Sequence, residues 1–161
     1  MTSPVSRSTS TTDRCTPNGN VAPGGWAFQY RNDFYPDVDD TAVIAMALNR
    51  ADPSANEDAL RLAADWIIGM QSKNGGWGSF DANNTHYYLN HIPFADHGAL
   101  LDPPTADVSA RCLSFLAQAG FERDHPAVTA ATGYLRAEQE EDGSWFGRWG
   151  TNFIYGTWSV L

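Results

Sequence analysis

Positive charge is scarce in this chain. Lysine and arginine number 10 against 19 aspartates and glutamates, giving a net charge of −9 at pH 7. That balance argues against nucleic acid as a partner and against electrostatic docking on anionic lipid, though not against an apolar membrane contact. Cysteine is nearly absent: Cys15 and Cys112 lie 97 residues apart, without metal-ligand spacing. A reduced cytosolic protein is therefore the default, with Cys112 a buried structural residue. No apolar run approaches the roughly 18 residues that a membrane span needs. No apolar core of a secretory signal opens the chain either. Residues 1–21, rich in Ser, Thr and Asn, read as a disordered tail ahead of one domain over residues 22–161.

What is present is a core-forming composition, 42% hydrophobic with many aromatics, arranged in a repeat. A shift of 68 positions lays Pro36, Asp39, Ala42, Leu48, Ala59 and Ala63 on Pro104, Asp107, Ala110, Leu116, Ala127 and Ala131. Gln71, Gly75 and Trp77 fall on Gln139, Gly143 and Trp145. One phase held over so long a stretch implies duplicated architecture. Each copy reads as two helices, the first through Thr41–Arg50 or Ser109–Ala119, the second from about Glu57 to Met70 or Pro126 to Glu138. The first is apolar nearly all round and the second amphipathic, so buried inner helices ringed by outer ones are predicted. The fold class is all-α, an α/α barrel or toroid of repeated helical hairpins. The Gln…Gly-x-Trp ending of each copy reads as a structural staple, with Gly making the turn and the Gln amide bonding backbone at neighbouring helix ends. The long loop from Gly78 to Pro104 holds His86, His91, His97 and Asp102, in no closed metal-ligand pattern, and neither metal nor cofactor is expected.

Asp37, Asp39 and Asp40 precede the apolar run Val43–Leu48. Three readings compete. Simple capping needs one carboxylate per helix start, and the repeat assigns that duty to Asp39 and Asp107. Chelation of Mg²⁺ beside a diphosphate wants a basic cradle that so few Lys and Arg do not favour. The third is a Brønsted acid: crowded carboxylates in a dry cavity cannot all ionise, so one keeps its proton, while the helix N-terminus stabilises the anion left behind. Such an acid could protonate an alkene. The resulting carbocation would need π-faces, and aromatics are plentiful: Trp26, Phe28, Tyr30, Phe34, Tyr35, Trp145, Trp149 and Tyr155 among them.

Several stretches carry a resemblance: Gly24-Gly-Trp-Ala-Phe-Gln29, Tyr35-Pro-Asp-Val-Asp-Asp-Thr-Ala42, Asn90-His-Ile-Pro-Phe94, Asp102-Pro-Pro, Gly143-Ser-Trp-Phe-Gly-Arg-Trp-Gly150 and Tyr155-Gly-Thr157. Over about residues 22–161 the chain resembles the squalene–hopene cyclases, class II triterpene cyclases. The resemblance implies protonation of squalene and its cyclisation through carbocations to hopene- or hopanol-type pentacycles. It implies that Asp39 is the acid, Asp37 and Asp40 its hydrogen-bonded companions, Asp107 a further member of the network, and Tyr155 a residue that organises or reloads it. Phe28, Phe80 and Trp149 are implied as cavity aromatics, and Phe94 as part of a narrow entrance from the membrane. Many relatives have histidine where this chain has Arg111, a possible partner of the acid, with its target among the carboxylates left open. Also implied are a monotopic contact with the cytoplasmic face of a bacterial inner membrane, a homodimer for the full-length enzyme, and no cofactor. The resembling enzymes are several times longer, with two barrel domains. The chain is therefore expected to be an interior piece with an incomplete barrel, inactive alone. A cyclase of another polyprenyl substrate and a noncatalytic helical-repeat module are the competing readings.

Overall fold

A short strand pairing decides where the first helix begins. The structure, a computed structural model, describes residues 22–29, 32, 35–91, 101–150 and 152–161; the segment 1–21 and Phe94 lie outside them. Strands β1 (Trp26–Ala27) and β2 (Pro36–Asp37) form an antiparallel ladder with Trp26 opposite Asp37. Extended backbone thus runs through Asp37, which becomes the N-cap of α1 (Val38–Ala51), and its carboxylate accepts the Asp40 N–H at 3.0 Å. This corrects the capping assignment. Asp39 is not the cap but a first-turn residue, because the ladder starts the helix earlier than the apolar pattern does. In the second copy Thr105 holds the cap position of α3 (Ala106–Gln118), and Asp107 lies in its first turn.

The outer helices α2 (Glu57–Gly69) and α4 (Pro126–Ala137) fall where the sequence placed them, α4 opening on proline. A 3₁₀ turn, Tyr87–His91, occupies part of the long loop, and α5 (Phe153–Val160) follows the second staple. Helix α1 packs on α3 and α3 on α5, with α2 against α1 and α4 against α3. Inner helices α1 and α3, each backed by an outer partner, and α5 beside α3 give the all-α hairpin architecture of an α/α toroid. Alanines let the helices approach closely: Ala42, Ala45 and Ala63 are fully buried, with Trp66, Ile67 and Phe115 filling the space between layers. The apolar α1 is not buried all round. Val43 and Ala47 are exposed, one and two turns beyond Asp39 on the same helix face.

The staples work through backbone groups. Gly75 and Gly143 sit at φ of +92° and +87°, a conformation that suits glycine. The indole N–H of Trp77 donates to the Ile67 carbonyl at 2.7 Å, and that of Trp145 to Leu135 at 2.6 Å. The Gln71 amide reaches both Gly75 and the Ala127 carbonyl on α4, tying one copy to the next. A further joint recurs three times. The backbone N–H of Trp26 donates to Thr41 Oγ1 at 2.8 Å, that of Trp77 to Ser109 Oγ at 2.9 Å, and that of Trp145 to Thr157 Oγ1 at 3.0 Å. These hydroxyls fix a common register on α1, α3 and α5. Two residues before each stand Asp39, Asp107 and Tyr155.

Candidate active site

Two of the three register-equivalent residues, Asp39 and Tyr155, meet at one guanidinium. Arg111, one turn beyond Asp107 on α3, donates through Nη1 to Asp39 Oδ2 at 3.0 Å and through Nη2 to the Tyr155 hydroxyl. Its carbon also lies 5.6 Å from the centre of the Tyr155 ring. Both partners of the ion pair are three-quarters buried, with side-chain exposures of 25% for Arg111 and 22% for Asp39. The open question about Arg111 is answered by geometry: its partner is Asp39. The other oxygen, Asp39 Oδ1, is buried without a hydrogen-bond partner among the described residues.

Burial is the main force on these carboxyls. It pushes Asp39 up to about 6; Arg111 opposes the rise, and the charges of Asp107 and Asp40 add to it. Asp37 is pushed up to about 7 by burial, against its bond from Asp40, with Asp40 and Asp39 raising it further. Asp40 is raised by burial and held back by Arg111. The Tyr155 hydroxyl is raised as well, chiefly by burial.

Other predicted residues are placed as follows. Asp37 and Asp40 bond to each other through side chain and backbone; the carboxyl of Asp39 is bonded to Arg111 instead. Asp107 is buried, and its oxygens accept the N–H groups of Val108 and Trp149, at 3.0 and 2.9 Å. It thus holds the Trp149 loop and acts on Asp39 through charge. Phe28 and Phe80 share a cleft with Tyr35 and Asp81; Phe28 is 64% exposed and Trp149 42%. Sequence reasoning missed Thr41, whose hydroxyl donates to the Asp37 carbonyl while accepting from Trp26. Its pairing with Ser109 in the repeat was the available signal. It also gave no task to Arg148, which bonds the Leu101 carbonyl at 2.6 Å and sits over Trp149.

Stacked helical hairpins with a buried carboxyl on α1 ion-paired to α3 define an α/α-toroid protein. Residues 6–161 match the family model for the squalene-hopene cyclase C-terminal domain, and the chain belongs to the squalene–hopene cyclase family. It is 69% identical over 144 residues to the squalene-hopene cyclase of Schizosaccharomyces japonicus, an overlap covering 89% of this chain and 22% of that relative. The squalene–hopene cyclase of Zymomonas mobilis is 65% identical over 147 residues, covering 88% and 22%. That of Alicyclobacillus acidocaldarius is 49% identical over 145 residues, covering 88% and 23%. The chain thus spans under a quarter of the length of these curated relatives.

Proposed function

We propose that this chain forms the acid-bearing part of an enzyme that cyclises squalene to hopene- or hopanol-type products, with Asp39 as the proton donor. The observation that carries the reading is the asymmetry of the Asp39 carboxyl. Oδ2 is engaged by Arg111, so a proton on the carboxyl belongs on Oδ1, which has no hydrogen-bond partner among the described residues. A buried O–H without an acceptor gains by giving its proton to whatever base comes within reach, and a π-bond is such a base.

In the protonation step the Asp39 O–H bond breaks and a C–H bond forms at the terminal alkene of the substrate. The π-electrons supply that bond, leaving a tertiary cation. Successive alkenes then attack intramolecularly, each closing a ring and passing the positive charge along. Loss of a proton gives an alkene, or capture by water with loss of a proton gives an alcohol. Arg111, ion-paired with Asp39, would stabilise the carboxylate left there, and return of the proton with the help of Tyr155, bonded to the same guanidinium, is part of the proposal. The exposed apolar residues Val43 and Ala47, in line with Asp39, offer a surface on which a hydrocarbon chain can lie. Phe28, Phe80 and Trp149 supply aromatic faces. A water-insoluble substrate favours delivery from the bilayer, so a monotopic membrane contact is part of the proposal; no helix among the described residues is long and apolar enough to cross a membrane.

The test is Asp39→Asn in the full-length protein containing this chain, incubated with squalene and analysed by gas chromatography and mass spectrometry. Asn cannot donate an acidic proton, so cyclised product should fall by about 10³-fold or more. Product formation at the unmodified rate would sink the assignment.

A further inference from the structure

Phe80 and Trp149 come from distant parts of the chain, yet both are anchored at Leu101-Asp102. The Asp102 carboxylate accepts three consecutive backbone N–H groups, those of Ser79 and Asp81 at 3.1 Å and that of Phe80 at 2.5 Å. Gly78 permits the approach, because a Cβ there would stand 2.5 Å from the Asp102 carbonyl oxygen and 2.9 Å from Oδ2. The clamped loop also feeds the acid helix: the Ser79 carbonyl accepts the N–H of Val38, first residue of α1, at 2.7 Å. On the other side, the Leu101 carbonyl holds Arg148 beneath Trp149, whose own N–H reaches Asp107. Three converging donors call for an acceptor-only group, which a carboxylate is and a carboxamide is not.

We propose that Asp102 is a positioning residue that fixes Phe80 relative to Asp39 and thereby sets how far cyclisation proceeds before a proton is lost. This rests on the cyclase reading above. A carbocation has two fates at each stage. A π-bond can attack it to close the next ring, or an adjacent C–H bond can supply its electron pair to a new alkene while water or a carboxylate takes the proton. An aromatic face held at the cation favours the first fate by lengthening its lifetime away from base. Displacing the Phe80 ring therefore shifts product composition, while the Asp39 carboxyl keeps its own partner, Arg111.

The experiment compares Asp102→Ala, Asp102→Asn and Phe80→Ala in the full-length protein with squalene, reading product ratios, melting temperature and the pH profile. A buried-core variant, Val128→Ala on α4, controls for general destabilisation. Partly cyclised products should rise about tenfold relative to the complete product in Asp102→Ala, and by less in Asp102→Asn. The pH profile should stay in place, and the Asp102→Ala/Phe80→Ala pair should give no more shift than Phe80→Ala alone. An Asp102→Asn product ratio equal to that of wild type and Val128→Ala overturns the proposal, even where Asp102→Ala does not fold. Absence of any cyclised product from the wild-type enzyme would instead overturn the underlying reading.

Discussion

Asp39 and Asp107 stand at the same register position of successive inner helices, yet of the two only Asp39 has an oxygen without a hydrogen-bond partner among the described residues. Both oxygens of Asp107 accept backbone N–H groups, one of them from the loop that carries Trp149. Asp39 gives one oxygen to Arg111, and its other, buried oxygen has no partner among the described residues. The same scaffold position thus yields a bolt in one copy and a candidate acid in the other. Hydrogen bonds that favour a carboxylate suit the bolt; their shortage suits a group that must hold and surrender a proton.

Arg111 should tune the acid by charge. Arg111→Gln removes a cation that lowers the Asp39 pKa, so the alkaline limb of the pH–rate profile is expected to move up by about one pH unit or more. The carboxylate left after proton transfer loses its counter-charge, and kcat should fall by about 10²–10³-fold. Arg111→Lys keeps the charge but not the two-pronged contact with Tyr155, so its limb should lie near wild type. Limbs that coincide in all three proteins would exclude the electrostatic role.

The pH profile of the wild-type enzyme has a predictable order. The donor is protonated Asp39, so kcat/KM should fall as pH rises through about 6. Bound hydrocarbon excludes water from the carboxyl and penalises its ionised form. The limb in kcat should therefore lie at higher pH than the limb in kcat/KM. Steady-state rates from pH 4.5 to 8.5 would read both.

Asp37 should cost stability at alkaline pH. Its pKa rises from 3.8 unfolded to about 7 folded, so folding favours its protonated form. That contribution is complete below pH 3.8 and is lost progressively as pH rises through about 7. Asn in its place keeps an oxygen for the Asp40 N–H and carries no charge. Asp37→Asn should therefore stabilise the protein at pH 8 by about 1–3 kcal/mol, an advantage that disappears toward pH 4. Thermal melts across that range measure it, and an advantage that grows on acidification would contradict the assignment.

Thr41 should tolerate serine and resist valine. Its fully buried hydroxyl accepts from Trp26 and donates to the Asp37 carbonyl. Thr41→Val strands both groups and should destabilise by about 1–3 kcal/mol, whereas Thr41→Ser keeps both bonds and costs less than about 1 kcal/mol. Melting curves of the two variants side by side would expose a hydroxyl that does not matter.

The repeat, the hairpins and the Gln…Gly-x-Trp staples were legible in the sequence because they depend on periodicity and on residue types with one dominant use. The helix α4 begins at the proline that announced it. The register of α1 was not legible, since it depends on β1 pairing with β2, and two-residue strands leave no pattern. That pairing moved the cap from Asp39 to Asp37. The target of Arg111 was hidden for another reason: its partners lie 72 and 44 residues away, on neighbouring helices, and only their packing selects Asp39 over Asp37 and Asp40. Asp102 looked like one more loop carboxylate until three donors were seen to converge on it.

The hydroxyl joint that ties Trp26, Trp77 and Trp145 to Thr41, Ser109 and Thr157 separates two jobs that compete in most proteins. Placement of each inner helix is settled by a backbone N–H and a small hydroxyl, and the seat two residues earlier is relieved of that work. An aspartate, a second aspartate and a tyrosine occupy the three seats, and the helices beneath them keep one geometry. Chemistry can therefore be exchanged at any seat while the frame stays where it is.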